Sequence, residues 1–209
     1  QLDYDWNFDR FHTNSDRIYR VEVIEDATPQ AVLSRPLADV IKSSSPHIQA
    51  GALYVPYLSP LFFTMEEGGE RNSYKEKFVR VESSITEIFE FQMVEGLSTA
   101  LEKPENVLLP ESISRKLFGN RSAIGKTLNV SMEIFDIVEQ NFIVGGVYKD
   151  FPANSVVLNG IYIPIPKEEN NGRWGDEKYE LYIRIDNPAN STYLMDNFKK
   201  NFDFSALGD

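Results

Sequence analysis

The residues Gly125, Lys126 and Thr127 have the types and order that end a phosphate-binding P-loop. A P-loop has two glycines five positions apart, and the second directly precedes the lysine. The backbone N–H groups between the two glycines close around a phosphate. In this chain Asn120 holds the position of the first glycine, and Gly119 comes one residue too early. A P-loop also follows a strand and opens a helix, whereas this pattern predicts a helix before the loop and a strand after it. We therefore predict a turn at Gly125 and a solvated Lys126, with no bound nucleotide.

A second group of reactive residue types lies near the beginning of the chain. His12 stands between Asp9 and Asp16, and a catalytic histidine with an orienting carboxylate uses these residue types. The chain contains no G-x-S-x-G nucleophile motif. We therefore expect a packed or capping histidine, and charge networks from Asp9 with Arg10 and from Asp16 with Arg17. The sequence predicts no catalytic residue and no enzyme.

Three acidic groups have side chains that calcium accepts as ligands. They are Asp3/Asp5/Asp9, Glu66/Glu67/Glu70 and Glu133/Asp136/Glu139. None has the D-x-D-x-D-G spacing with a distal glutamate that a calcium loop requires. The chain has no cysteine and only two histidines, His12 and His47, which leaves no thiolate ligand and no multi-histidine site. We predict solvated acidic faces, no metal and no cofactor.

Aromatic residues offer two alternatives, a pocket for an apolar ligand or ordinary core packing. The clusters are Phe62 with Phe63 and Phe89 with Phe91, and core packing is favoured because aromatic side chains usually fill cores. Trp6 and Trp174 lie in polar, irregular contexts and are candidates for an interface. The charged stretches 65–76 and 167–178 are predicted as contact loops or long hairpins.

The composition limits the classes of partner. The 209 residues carry a formal net charge of −11, and 42% of them are hydrophobic, which is enough for a folded core. An acidic surface repels nucleic acid and anionic lipid, so neither is an expected partner. No run of about 18 apolar residues predicts a membrane span, and no signal peptide is recognised.

Hydrophobic spacing predicts strands at both ends and a strand-rich middle. Residues 17–57 read as strand–helix–strand, with the helix beginning at Thr28-Pro29 or later, near Ser34. Residues 133–148 read as a hairpin that turns at Glu139-Gln140. Residues 179–186 read as a strand, followed by a helix capped by Asn190 or Ser191.

Four stretches together resemble a known family. They are 9–21 (DRFHTNSDRIYRV), 88–91 (IFEF) with 95–96 and 100–101, 116–119 (KLFG) with 124–128 (IGKTL), and 146–155 (GVYKDFPANS). In this order they resemble the extracytoplasmic core domain of MacB-like ABC transporter permeases, within the FtsX-related superfamily. The resemblance covers residues 9–155, and beyond them it rests on the strand and helix pattern alone.

The resemblance implies an α+β fold with two lobes. A porter-like α/β lobe near the membrane would be formed by both chain ends, residues 1–60 and 166–209. A strand-rich mixed lobe, residues 61–165, would be inserted between them. The family also implies the extracytoplasmic face of the inner membrane as the location.

The function that the resemblance implies is transmission of ATP-driven motion and docking of a partner or cargo in the cell envelope. Efflux, lipoprotein export and cell-wall regulation all occur in the superfamily. The implied partners are an ABC ATPase subunit or domain, a second permease copy, and a membrane-fusion or outer-membrane protein. Two other classes stay open from the residues alone, a free-standing periplasmic ligand-binding or sensor domain and a hydrolase.

Overall fold

A computed structural model describes residues 14–25, 28–55, 60–132, 137–153 and 155–201. The chain divides into two compact units. The first unit comprises Gln1–Pro56, Ser84–Glu90 and Pro166–Asp209, and the second comprises Tyr57–Ser83 and Phe91–Ile165. The segment Ser84–Glu90 thus belongs to the first unit although it lies in the middle of the chain. The lobe boundaries expected in the permease, 1–60 with 166–209 and 61–165, stay a prediction.

The described residues form mostly strands, with few and short helices, and this confirms the predicted α+β class. The strands are β1 (Ile18–Val21), β2 (Val23–Glu25), β3 (Thr28–Gln30), β4 (Val32–Leu33), β5 (Ile48–Val55), β6 (Leu61–Glu67), β7 (Glu70–Glu76), β8 (Phe78–Val81), β9 (Met93–Gly96), β10 (Asn106–Pro110), β11 (Thr127–Met132), β12 (Ile137–Tyr148), β13 (Ile161–Pro164) and β14 (Tyr179–Ile185). The α-helices are α1 (Arg35–Ser43), α2 (Ile85–Ile88), α3 (Glu111–Phe118) and α4 (Ser191–Asn201). Short 3-10 turns lie at Ser15–Arg17, Ser98–Glu102 and Pro188–Asn190.

In the first unit, β14 is the central strand, whereas β2 and β3 pair with each other in a separate two-stranded sheet. β14 pairs antiparallel with β1, β5 and the short β4. Leu181, Ile183 and Ile185 alternate along this strand, which was predicted at residues 179–186, and all three are buried. Glu180 and Tyr182, which point to the opposite face, are buried as well. β14 is therefore covered on both faces.

The helix predicted from Thr28-Pro29 begins later in the structure. Residues 28–30 and 32–33 form β3 and β4, so a helix start at Thr28 is wrong. Ser34 holds the N-cap position with an extended backbone, and Pro36 lies in the first turn of α1. The alternative start near Ser34 is correct. Proline has no backbone N–H, and only in the first turn of a helix does this N–H make no intrahelical hydrogen bond.

In the second unit, seven strands follow the order β8-β13-β10-β12-β11-β6-β7, and β9 pairs with β12. The pairs β8–β13 and β10–β12 are parallel, whereas the others are antiparallel. α3 contributes Ile113, Leu117 and Phe118 to the hydrophobic core of this unit. Strands β6 and β7 form a hairpin whose turn is Gly68-Gly69, both with positive φ, as predicted for residues 65–76.

The predicted turn at Glu139-Gln140 is wrong. β12 runs without interruption from Ile137 to Tyr148, and Gln140 pairs with Val130 of β11. Polar residues are compatible with a strand whose face meets solvent, and here Asn129 Nδ2 donates to Asn141 Oδ1 at 2.8 Å across the pair. The next strand, Ile161–Pro164, is short.

The buried hydroxyl of Tyr148 makes two hydrogen bonds to the backbone of Gly160 in the second unit. It donates to the carbonyl oxygen of Gly160 at 2.9 Å and accepts from the Gly160 N–H at 3.1 Å. Tyr148→Phe leaves both backbone groups without this partner, so we expect the free energy of unfolding to fall by about 2 kcal/mol. Urea denaturation measures the change, with Tyr193→Phe at an exposed site as the control. Equal stability of the two variants would contradict the prediction.

Candidate functional site

The Gly125-Lys126-Thr127 stretch forms a turn whose backbone is already hydrogen-bonded. Gly125 has φ of 77°, and its N–H donates to the Val144 carbonyl at 2.8 Å. The Val144 N–H donates in return to the Lys126 carbonyl at 2.9 Å. The turn follows α3 and leads into β11, as the sequence predicted. The N–H of Gly125 is therefore directed at a strand of this protein and not at an open loop.

Several residues singled out in the sequence lie outside the described ranges. They are Asp3, Asp5, Trp6, Asp9, Arg10, His12, Glu133 and Asp136. Asp16 and Arg17 are described, with Arg17 Nε 4.0 Å from Asp16 Oδ1. The same guanidinium donates to Asn14 Oδ1 and, at 3.4 Å, to the Asp186 carbonyl. Arg17 thus ties the start of β1 to the end of β14.

The acidic residues of the β6–β7 hairpin lie at its tip. Glu66 pairs in register with Arg71, and Glu67 with Glu70. Within the described ranges no three histidine, aspartate or glutamate side chains come together as a metal-binding group. Glu139 lies on β12, apart from this hairpin in the sequence.

The members of the two aromatic pairs differ in burial and in the unit to which they belong. Phe63 is buried and stacks on Tyr74 with ring centroids 5.5 Å apart, whereas Phe62 is 58% exposed. Core packing is therefore correct for Phe63 and wrong for Phe62, because neighbours on a strand point to opposite faces. Phe89 and Phe91 are both buried, but they belong to different units.

The loop of residues 167–178 is held at its base by buried groups of the first unit. Arg35 is buried at the start of α1, and its Nη1 donates to the carbonyls of Pro166 and Lys167. The Tyr179 hydroxyl donates to Glu169 Oε1 at 2.8 Å and accepts from Asn170 Nδ2 at 2.9 Å. Burial, together with the bond to Glu169, raises the pKa of Tyr179. Trp174 within this loop is half-buried.

Four side chains of the second unit are large, hydrophobic and exposed, and we call them together the apolar patch: Val94, Leu97, Ile124 and Ile143. Their exposed fractions are 48%, 69%, 40% and 39%. Ile124 lies against Gly96, the neighbour of Leu97, since its Cδ1 is 3.0 Å from the point where a Cβ on Gly96 would stand. Ile143 lies two residues before Gly145, whose carbonyl oxygen is 2.3 Å from the point where a Cβ on Gly96 would stand. Sequence reasoning missed this patch, although Ile143 alternates with the buried Phe142 and Val144.

Glycines and hydrogen bonds hold the patch in place. Gly96 has φ of 68° and pairs with Gly146 in the β9–β12 ladder. Ser122 Oγ donates to Glu95 Oε2 at 2.7 Å and accepts from the Ile124 N–H at 3.3 Å. These contacts join the turn that carries Ile124 to the strand that carries Val94. The patch is therefore presented by a fixed backbone.

The first unit contains a largely buried cluster of charged residues. Arg20 Nη2 donates to Glu22 Oε1 at 2.7 Å, and Arg20 Nη1 lies 3.8 Å from Glu180 Oε1. The Tyr182 hydroxyl donates to Glu180 Oε2 at 2.9 Å. Burial raises the pKa of the Glu180 carboxyl, although Tyr182 and Arg20 act in the opposite direction. Burial also raises the pKa of Tyr182 well above its usual value.

A second polar cluster joins the end of β14 to the loop before β5. His47 Nδ1 lies 2.9 Å from Asp186 Oδ2, and Asn190 Nδ2 donates to Asp186 Oδ1 at 2.9 Å. The hydrogen bonds from Asn190 and then His47 lower the pKa of Asp186. Of the two histidines, His47 thus has an orienting carboxylate. The described contacts place no serine, threonine or cysteine nucleophile on its ring nitrogens, and Ser45 Oγ accepts a hydrogen bond from the His47 backbone N–H at 3.3 Å.

The sequence matches the family model described as MacB-like periplasmic core domain over residues 6–201. The chain belongs to the MacB-like periplasmic core domain family. The match includes the elements of both units and confirms the resemblance noted from the four stretches. No curated protein sequence matches the chain.

Solved structures share the fold of this MacB-like domain. A domain assigned to a permease protein from Porphyromonas gingivalis is 22% identical with a TM-score of 0.72, covering 93% of this chain and 88% of that one. The periplasmic region of MacB from Actinobacillus actinomycetemcomitans is 19% identical with a TM-score of 0.56, covering 80% and 72%. The extracellular domain of the noncanonic ABC-type transporter YknZ from Gram-positive bacteria is 14% identical with a TM-score of 0.52, covering 78% and 79%.

The MacB-like domain, over its described residues, has no helix with the length and apolar character needed to cross a bilayer. Two of the structures that share its fold are the periplasmic region of MacB and the extracellular domain of an ABC-type transporter. The family thus places this domain in the extracytoplasmic part of an ABC-type permease.

Proposed function

We propose that this domain transmits ATP-driven motion of its permease to the cell envelope and docks a partner protein or cargo through the apolar patch. The observation that carries the docking role is the concentration of exposed hydrophobic side chains in one unit. Of the seven large hydrophobic side chains exposed in the described ranges, six lie in the second unit and only Tyr193 in the first. Apolar side chains that stay exposed as a group mark interaction sites.

The patch suits a partner that is recognised by shape and apolar contact. Its members come from β9 and the residue after it, from the turn after α3, and from β12, and backbone hydrogen bonds join β12 to β9 and to that turn. A preformed apolar surface loses little conformational entropy on binding, so a modest area can give useful affinity. Efflux, lipoprotein export or cell-wall regulation would each use such docking in our proposal.

The proposed partners follow from the family and from the patch. An ABC ATPase subunit or domain would act through the membrane part of the permease. A second permease copy and a membrane-fusion or outer-membrane protein would complete the assembly. We propose a lever and docking surface and not a catalyst.

Polar substitution in the apolar patch should weaken partner docking. In the complete permease, we expect Leu97→Ser with Ile124→Ser to reduce partner affinity about tenfold, since central apolar contacts each contribute about 1 kcal/mol or more. A photo-crosslinking residue at position 97 should capture the partner in membranes, and transport or partner-stimulated ATP hydrolysis should fall in parallel.

Two exposed positions off the patch provide matched controls. Leu158→Ser changes the same unit, and Tyr193→Ser changes the other unit. Both controls should keep the affinity and the transport rate of the native protein. If the patch variant also keeps them, or if all variants lose them equally, the docking role of the patch is wrong.

A further inference from the structure

Two asparagine–glycine pairs in this chain have the residue order that favours loss of the side-chain amide. They are Asn159-Gly160 and Asn171-Gly172. A glycine that follows asparagine leaves its backbone nitrogen unshielded, because it carries no Cβ. That nitrogen can attack the side-chain carbonyl carbon Cγ when the two atoms come into contact. The surroundings of each pair decide whether it can make this approach.

In the first pair, both reacting groups are already hydrogen-bonded. Asn159 Oδ1 accepts from the Phe151 N–H, and Asn159 Nδ2 donates to the Phe151 carbonyl, each at 2.8 Å. The Gly160 N–H donates to the Tyr148 hydroxyl at 3.1 Å. A Cβ on Gly160 would stand 2.9 Å from the Lys77 carbonyl oxygen, so the backbone has little room to turn. Attack at this pair therefore requires local opening of the second unit.

The second pair lies in the loop of residues 167–178 and lacks these restraints. Among the residues that the structure describes, none accepts a backbone hydrogen bond from the Gly172 N–H, and a Cβ on Gly172 would meet nothing within 4 Å. The Asn171 side chain donates from Nδ2 to Glu168 Oε2 at 3.2 Å, and both of these residues are exposed. A single hydrogen bond in water has a small net free energy, so the Asn171 side chain can leave Glu168 readily.

We propose that Asn171 is a site of spontaneous deamidation in the folded domain. The Gly172 nitrogen gives its proton to solvent and bonds to Asn171 Cγ, and the Cγ–Nδ2 bond breaks with release of ammonia. Water then opens the cyclic imide at either of its two carbonyl carbons. Opening at Cγ leaves aspartate, whereas opening at the backbone carbonyl carbon leaves isoaspartate, in which the chain runs through Cγ. The sum is asparagine plus water to an acidic residue plus ammonia, without an oxidant, a reductant or an enzyme.

The reaction changes both the charge and the backbone of this loop. A carboxylate at position 171 adds a negative charge beside Glu168, so the hydrogen bond between the two side chains is replaced by repulsion. Isoaspartate also lengthens the backbone by one carbon. The base of the loop is held by Arg35 and by Tyr179 and not by Asn171. We therefore expect the outer part of the loop to change while the fold of the first unit persists, in a fraction of molecules that grows with their age.

Peptide mapping by mass spectrometry tests the proposal on this chain. The native protein is kept at mildly alkaline pH, and samples are digested and mapped at intervals over several weeks. The Asn171 amide should be lost about tenfold faster than the Asn159 amide or more, because the Asn159 pair reacts only after local opening. In guanidinium chloride, where the fold restrains neither pair, the two rates should become similar.

Asn171→Gln is the matched control variant, because glutamine must close a larger ring and should keep its amide. Asn170 is a control within the same peptide, since its Nδ2 donates to the Tyr179 hydroxyl at 2.9 Å and the residue after it is not glycine. Equal rates at the two pairs in the folded protein would overturn the proposal, and so would a rate ratio that guanidinium chloride leaves unchanged. The native chain alone decides the matter, because it contains both pairs. Failure leaves the docking role of the apolar patch intact, since the patch lies in the other unit.

Discussion

Replacement of Gly96 by alanine should be among the most damaging single changes in the second unit. A Cβ at this position would stand 2.3 Å from the carbonyl oxygen of Gly145 and 2.9 Å from the Cα of Gly146. Both are backbone atoms, so the β9–β12 pair must separate to make room. The φ of 68° adds strain for any side chain. We expect Gly96→Ala to lower the free energy of unfolding by about 3–5 kcal/mol in urea denaturation.

Gly68→Ala separates the two causes of this loss. Gly68 has nearly the same φ, 62°, but a Cβ there would meet nothing within 4 Å. In this control the free energy of unfolding should fall by only about 1 kcal/mol, which is the effect of backbone conformation alone. If the two variants lose equal stability, the close approach of β9 to β12 does not have the effect we assign to it. Gly96→Ala should also displace Ile124 and Leu97, so it links the stability of the ladder to the shape of the apolar patch.

Arg35→Met should destabilise the first unit by a similar amount. The guanidinium is buried and donates to two carbonyls, those of Pro166 and Lys167. Methionine keeps most of the apolar stem but supplies no donor, so both carbonyl oxygens lose a charge-assisted hydrogen bond. We expect the free energy of unfolding to fall by about 3 kcal/mol. Hydrogen exchange should show faster opening of residues 167–178 than in the native chain.

Arg173→Met provides the comparison for Arg35. Arg173 lies in the loop of residues 167–178 and is exposed. Loss of its charge should change the free energy of unfolding by no more than about 0.5 kcal/mol. A loss at Arg35 no greater than the loss at Arg173 would show that the loop does not depend on this anchor.

Local sequence signals predicted those parts of the fold that local chemistry determines. Pro36 limited where α1 begins, and Gly119 marked the end of α3 with a positive φ of 63°. Pro110 is a residue type that suits the first turn of a helix, but here it is the N-cap residue at the end of β10. Gly68-Gly69 marked the hairpin turn. The family resemblance was likewise recognised from short stretches of sequence, four of them in a fixed order.

Features that depend on distant partners were not accessible to the same reasoning. Alternation in β14 indicated one buried face, but a strand that pairs on both sides and is covered on both faces buries Glu180 as well. The spacing of residues cannot show that Arg20, about 160 positions earlier, will be its neighbour. The apolar patch escaped notice for a related reason, because alternation shows which side Ile143 takes and not whether another element covers it.

The place of β14 in the sheet has a consequence for how the chain acquires its structure during synthesis. Three strands of the first unit, β1, β4 and β5, are made early, yet each pairs with a strand that begins only at Tyr179. Phe91–Ile165, in contrast, supplies five strands of the second unit without a break. Contacts between distant parts of a chain form late, because a long loop must close before they form. The second unit can therefore gain its core while the ribosome is still extending the chain, and the first unit closes last.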